Sequence, residues 1–452
     1  MGHEKKMNEQ TLGNNIKLSE QSMGHDVKLS EQTMAHDEKL SEQTIGRRKY
    51  TVVEGGSIVT PKGFSAGGVH CGLKKTERHD IGAIVCEVEA TAAAVYTTSV
   101  FQAAPLKVTR ESLVDGKLRA VVVNSGNANA CTGQQGEADA YEMRAAMARQ
   151  LGVAELDVAV ASTGVIGELI KMDCVNAGIV ALPPRLSTAA IGAEDFSHAI
   201  LTTDLVKKEA CVSVLVDGME VVIGGVAKGS GMIHPNMATM LAFMTTDVNI
   251  DQAALQQLLR QATDLTFNMI TVDGDTSTND MLITMASGFA GNQTMHPSHP
   301  DWDAFAEAFT YVCQKLAMAI ARDGEGATRL VEVVVHGAVS DQSARVIAKT
   351  VVGSSLVKSA MFGADANWGR IIAAVGRAGE PVNPEQVDIQ LGPISVLEGS
   401  RPVVFDEEVA LEYLKGDTVR IFVDLHGGQG QATAWGCDLT YDYVRINAAY
   451  RT

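Results

Sequence analysis

Residues 228–243 read KGSGMIHPNMATMLAF. A stretch built to bend, with two glycines and a proline, runs into an apolar segment that carries a single hydroxyl, Thr239. Taken alone, Thr239 reads as a buried threonine bonded to a backbone carbonyl, because buried hydroxyls find partners. Whether it is instead a reacting group depends on the rest of the chain.

The chain has 452 residues, 46% of them hydrophobic and 20% charged, with 43 glycines. That length supports two or more domains, or one large layered domain. A formal charge of −17 argues against nucleic-acid or anionic-membrane partners, since either needs a basic surface. A small-molecule substrate is the better expectation. Cys71, Cys86, Cys131, Cys174, Cys211, Cys313 and Cys437 are scattered and form no C-x-x-C pair. They read as reduced thiols of a cytoplasmic protein, with neither a disulfide framework nor a metal site. No stretch has the length of a membrane span, and the N-terminus lacks the apolar core of a signal peptide.

KLSEQ recurs at 17–21, 28–32 and 39–43, with a degenerate KMNEQ at 6–10. So few apolar positions cannot offset the entropy of ordering, so residues 1–48 read as a disordered tail. From about Arg48, short apolar runs alternate with helical patterns. AIVCEV, RAVVVN, VAVAST, VSVLVDG, EVVIGGVA, RLVEVVVHGA, VRIFVDL and DLTYDYVRI read as strands. Residues 136–151, 251–263, 302–321 and 354–361 read as helices, and 244–251 as a soft boundary. The mixture predicts sheets layered with helices. HGGQGQATAWG at 426–436 precedes strand-like sequence, so it reads as a hairpin turn and not a phosphate cradle.

AVVVNSGNANACTG (120–133) and VAVASTGVIGE (158–168) each run a buried strand into a polar, Gly-rich turn. Such strand ends commonly assemble sites in α/β proteins. Thr163 followed by Gly164 suits an oxyanion hole, a hydroxyl and a backbone N–H being fixed donors that a carbonyl can approach. FNMITVDGDTSTND (267–280) and ARDGEGATRL (321–330) bring acidic and hydroxyl groups to turns. Glu325 is open to two readings, a site carboxylate or a solvated turn residue.

KGSGMIHPNMATMLAF resembles the self-cleavage segment of the ornithine acetyltransferases, the glutamate N-acetyltransferases of the cyclic arginine pathway. The resemblance continues in order through PKGF, TTSVFQAAP, NSGNANACTG, STGVIG, LTTD, VDGDTSTND, DGEGAT, VKSAMFGADANWGR and YDYVRINAAYRT, over about residues 50–452. Met269 stands where that pattern has a basic residue, Ala366 where it has Pro, and Ser359 where it has Thr.

The resemblance implies an α/β fold, a layered α-β-β-α sandwich similar to the N-terminal-nucleophile hydrolases but differently connected. It implies self-cleavage between Ala238 and Thr239, giving an α chain (49–238 after the tail) and a β chain (239–452) that remain associated as α2β2. Thr239 would then be both nucleophile and, through its new α-amino group, base, with Thr163 and Gly164 as the oxyanion hole. The amine's reference pKa of about 7.7–8.0 leaves a useful neutral fraction near pH 7. Substrate contacts carried over are Thr202 (Thr203 being the alternative), Lys228, Thr239, Glu325, Asn447 and Thr452. Without the resemblance, Lys228 would read as a solvated loop cation. The implied reaction moves an acetyl group from N2-acetylornithine to glutamate by ping-pong exchange without a cofactor, with acetyl-CoA open as a further donor. A self-cleaving amidohydrolase or aminopeptidase is the rival enzyme, and an uncut metabolite-binding protein the rival without chemistry.

Overall fold

Val158–Ser162 and Leu241–Thr246 are buried at every position, the mark of strands covered on both faces. The computed structural model describes residues 49–234 and 240–449, so the repeat tail, Ala238, Thr239 and Thr452 lie outside the described residues. The first part of the chain supplies β1 (Tyr50–Val52), β2 (Phe64–Val69), β3 (Ile81–Tyr96), β4 (Lys117–Asn124) and β5 (Val158–Ser162). Next come β6 (Lys208–Val216), β7 (Met219–Lys228), β8 (Leu241–Thr246), β9 (Ile270–Thr271) and β10 (Met281–Ala286). The last part supplies β11 (Leu330–Ala338), β12 (Asp388–Leu391), β13 (Ile394–Glu398), β14 (Arg401–Pro402), β15 (Thr418–Asp424) and β16 (Gly430–Cys437).

A nine-stranded sheet runs β1-β6-β7-β8-β10-β3-β4-β5, with β2 also on β3. A seven-stranded sheet runs β14-β13-β12-β15-β11-β16-β9. β8 and β10 are parallel neighbours, flanked by β7 on one side and β3 on the other.

The helices before β6 are α1 (Ala104–Ser112), α2 (Gly133–Leu151), α3 (Met172–Ala181) and α4 (Ala190–Ile200). Those after β8 are α5 (Gln252–Leu265), α6 (Trp302–Arg322), α7 (Asp341–Val352), α8 (Ser355–Phe362), α9 (Trp368–Gly376), α10 (Glu407–Leu414) and α11 (Tyr441–Ala448). α5 illustrates their logic: Asp251 caps its start by accepting from the Ala254 amide, and Leu255, Leu258, Leu259 and Ala262 form its buried stripe.

The layers follow from which side chains meet. Ala120, Val122, Val158 and Val160 pack under α2 and α3. Their alternating neighbours Val121, Val123, Ala159 and Ala161 share a second core with Val226, Phe243 and Ile283 of β7, β8 and β10. The opposite face of those strands, through Ile223, Ala242 and Leu282, packs on α5 and α6. Helix, one half of the nine-stranded sheet, its other half and helix succeed one another, the expected α-β-β-α order. The long strand β3 takes part in both halves, and its register with β4 shifts between Val85 and Ala90. α6 also reaches β9, β11 and β16 of the other sheet. No helix among the described residues is long and apolar enough to cross a membrane.

Three expectations need correction. DLTYDYVRI is not a strand: Thr440 caps α11 by accepting from the Tyr443 amide. No side chain of α11 is buried, so its alternation does not reflect a sheet face. HGGQGQATAWG does lead into a strand, but not through a hairpin, because β11 lies between β15 and β16 and pairs with both. Residues 244–251 form no boundary either, since Met244, Val248 and Ile250 are buried in one core. The four helices read from the sequence are present, their ends displaced by a turn or less.

Candidate active site

Strand ends converge on one cavity of about 280 Å³. Thr163 follows β5 directly, Lys228 is the last residue of β7, Leu241 the first of β8, and Asp280 immediately precedes β10. Lys228 stands opposite Leu241, and Leu241 opposite Met281. Thr163, Gly164, Thr202, Thr203, Lys228, Glu325 and Asn447 all line this cavity, together with Met240 and Leu241. Ala238, Thr239 and Thr452 lie outside the described residues.

Lys228 is no solvated loop cation. It ends a strand, is 9% exposed, and donates from Nζ to Thr163 Oγ1 at 3.1 Å. Burial pulls its ammonium below the ordinary lysine range, opposed by the charges of Asp204 and Asp280. Because Thr163 Oγ1 accepts from the ammonium, the hydroxyl's own proton is left to be donated elsewhere. That is the polarity an oxyanion donor requires. Gly164 adopts a φ of 133°, and a Cβ there would lie 2.7 Å from the Asn127 nitrogen, so this position takes only glycine. Asn279 Nδ2 donates to the Ser162 carbonyl at 2.8 Å and also to Ala128, tying the two polar turns together beside the cavity.

Glu325 is buried as well, which overturns its reading as a turn residue in water. Its amide donates to the Ser230 carbonyl at 3.0 Å, and Asn447 Nδ2 donates to its Oε2 at 2.8 Å. A Cβ on Gly231 would lie 2.4 Å from the Glu325 carboxylate carbon, so the glycine at 231 makes room for this side chain. α11 brings Asn447 to the cavity, which the strand reading of that segment did not anticipate.

A charge network that sequence reasoning missed backs the site. Lys208, whose side chain is fully buried, donates to Asp204 at 2.7 Å and to Asp323 at 2.6 Å. Asp204 also accepts from the amides of Thr202 at 3.0 Å and Gly229 at 2.6 Å. Thus one carboxylate fixes the residues beside Thr203 and Lys228. Burial would raise the Asp204 carboxyl, but the charges of Lys208 and Lys228 outweigh it and bring it down to about 2. Lys208→Met is expected to cost about 3–5 kcal/mol in denaturant unfolding, because it strands two buried carboxylates. The same depressed carboxyl contributes stability above the ordinary Asp range that is lost as pH falls toward 2, so the acid-unfolding midpoint should rise in this variant. The only sequence signal for the network was Asp204 at the end of LTTD.

Met269, the departure from a basic residue, is buried and lines a second cavity of about 620 Å³. Arg345, Lys349 and Arg377 border the same hollow, so positive charge is supplied there from other positions.

The profile of the ArgJ family matches residues 65–452. The arginine biosynthesis bifunctional protein ArgJ of Geobacillus kaustophilus strain HTA426 is 61% identical over 403 residues, covering 89% of this chain and 98% of that protein. Its counterpart in Halalkalibacterium halodurans is 59% identical over 402 residues, covering 88% and 97%. Among solved structures, the ornithine acetyltransferase of Mycobacterium tuberculosis complexed with ornithine is 35% identical, with a TM-score of 0.40, covering 42% of this chain and 100% of that one.

Proposed function

The chain belongs to the ArgJ family, and from that premise we propose that it is an N-acyltransferase of arginine biosynthesis, moving an acetyl group from N2-acetylornithine to glutamate. The observation that carries this reading is the Lys228 to Thr163 hydrogen bond in a buried cavity that also holds the Glu325 to Asn447 pair. One side offers a cation for an α-carboxylate, and the other a carboxylate for the ornithine side-chain ammonium. A hydroxyl with a free proton lies beside the cation, where a developing oxyanion can be stabilised.

In this reading the precursor cuts itself before Thr239. Thr239 Oγ then attacks the acetyl carbonyl while its α-amino group takes the hydroxyl proton. Thr163 and Gly164 hold the oxyanion, the C–N bond breaks, and the departing ornithine nitrogen receives that proton. In the second half, the neutral amine of glutamate attacks the acetyl-threonine ester, the ester C–O bond breaks, and Oγ regains a proton. Thr202 or Thr203 completes the substrate wall, and Thr452 is assigned to substrate contact by the family pattern. The transfer as written needs no cofactor, and acetyl-CoA would enter as an alternative acetyl donor. A cytoplasmic α2β2 assembly of the cut chains belongs to the same proposal.

Mature protein mixed with N-acetylornithine and no glutamate is expected to hold one acetyl group on the β chain, at its first residue. Mass spectrometry reads the added acetyl and its removal when glutamate is supplied, and double-reciprocal plots should be parallel. An unmodified β chain under single-turnover sampling, with intersecting plots, would replace the two-step scheme by direct transfer. Acetate release that does not depend on glutamate would indicate the amidohydrolase instead.

A further inference from the structure

The second cavity, of about 620 Å³, has no part in the scheme above. Among the described residues that line it, Arg345, Lys349 and Arg377 face the single carboxylate of Asp264, which already accepts from Asn268 Nδ2 at 2.7 Å. In a chain of net charge −17, a hollow of net positive charge runs against the composition and attracts anions.

The spacing along α7 gathers two of these cations. Ala344, Ile347, Ala348, Val351 and Val352 form the buried face of this helix. Gln342, Arg345, Val346, Lys349 and Thr350 share its other face, and all five line the hollow. Arg345 and Lys349 stand one turn apart, where like charges repel. Arg377, the C-cap of α9, completes the set. One of its N–H groups donates to the Thr350 carbonyl at 3.3 Å, which anchors a guanidinium of five donors beside the last turn of α7. Burial pulls the Lys349 ammonium down to about 8. Burial, and then the charge of Lys349, bring the imidazole of His234, which also lines the hollow, down to about 4. An anion seated among these groups would reverse both displacements.

The wall toward the catalytic cavity is thin. Ile233 and Ser277 line that cavity, whereas their chain neighbours His234 and Thr276 line this one. Thr276 Oγ1 donates to the His234 carbonyl at 2.8 Å, and His234 Nδ1 lies 2.9 Å from Thr271 Oγ1. No described residue lines both cavities, so a ligand here is held apart from Lys228 and Glu325.

We propose that this hollow is a second binding site, for a small anion bearing phosphate groups, with Arg345 and Arg377 as its guanidinium forks and Lys349 as a compact point charge. A guanidinium matches two phosphate oxygens at once, and an ammonium adds charge without that demand on direction. The volume falls within the range of about 300–1,000 Å³ usual for small-molecule sites, room for more than a lone phosphate. The site does not depend on the acetyl-transfer reading.

The test is calorimetric titration of inorganic pyrophosphate into the protein as expressed, without substrates and at constant ionic strength so that screening is fixed. One site per chain is expected. Arg345→Gln combined with Lys349→Gln should weaken binding at least about tenfold. Turnover of N-acetylornithine without pyrophosphate should be unchanged in that variant, because neither residue lines the catalytic cavity. Arg377→Gln, at an exposed position, should also weaken binding, and decides the matter if the double variant does not fold. Tighter binding of ADP than of pyrophosphate would mark the rest of the hollow as a seat for a nucleoside, and equal binding would mark a seat for the phosphates alone; both support the site.

No binding of millimolar pyrophosphate overturns the proposal, as does an affinity that these substitutions leave unchanged. Displacement of pyrophosphate by N-acetylornithine overturns it equally, because the anion would then sit at Lys228. A chain that binds pyrophosphate as expected but transfers no acetyl group would sink the transferase reading and leave this site standing.

Discussion

Thr239→Ala is expected to remain one uncut chain of 47.9 kDa with no transferase activity. A threonine hydroxyl is a weak nucleophile unless a nearby base takes its proton, and in the proposed scheme the position supplies both. Alanine removes the group that attacks the Ala238–Thr239 peptide, so the amine never forms and the second function is lost with the first. Thr239→Ser keeps a hydroxyl and should still cut, more slowly. Gel electrophoresis after expression separates these outcomes. Two chains of ordinary size from the Ala variant would take the nucleophile role away from Thr239.

Thr163→Ala should cut, fold and bind substrate, yet turn over about a hundred- to a thousandfold more slowly, the usual loss for one oxyanion donor. The residue sits at a strand end whose backbone is fixed by the Thr163 amide to the Asn124 carbonyl at 2.9 Å, so removing the hydroxyl need not disturb the turn. Lys228 loses its hydroxyl partner, but its ammonium remains to meet a carboxylate. Steady-state kinetics should show the loss in kcat. A change confined to KM would make Thr163 a binding residue, because an interaction confined to the transition state lowers kcat.

The strands and the site were legible for different reasons. Runs such as VAVAS and RAVVVN announce two-sided burial, and every residue of β5 is indeed covered. Thr163 and Gly164 could be singled out because a hydroxyl and a glycine at a strand end can serve as fixed donors, and both line the cavity. Lys208 could not be read, since nothing local to KKEAC says that Asp323 will arrive from the end of α6 at 2.6 Å. Asp280 closes a polar run that looked like turn sequence, and its place in the cavity wall appears only once β10 lies beside β8. α11 was misread because a capped surface helix with no buried side chain has no amphipathic stripe to reveal its period.

The placement of β8 and β10 between β7 and β3 has a consequence for how the mature protein can be lost and regained. Under the proposed cut, two separate polypeptides share one hydrogen-bonded ladder, the second threaded between strands of the first. Neither can leave without tearing the sheet, so on heating the pair should melt in a single cooperative step, as one chain does. The return journey differs, because melted partners diffuse apart and must find each other again. Renaturation should therefore slow on dilution for the cut protein and be insensitive to dilution for uncut Thr239→Ala, leaving the mature form long-lived through the height of its unfolding barrier.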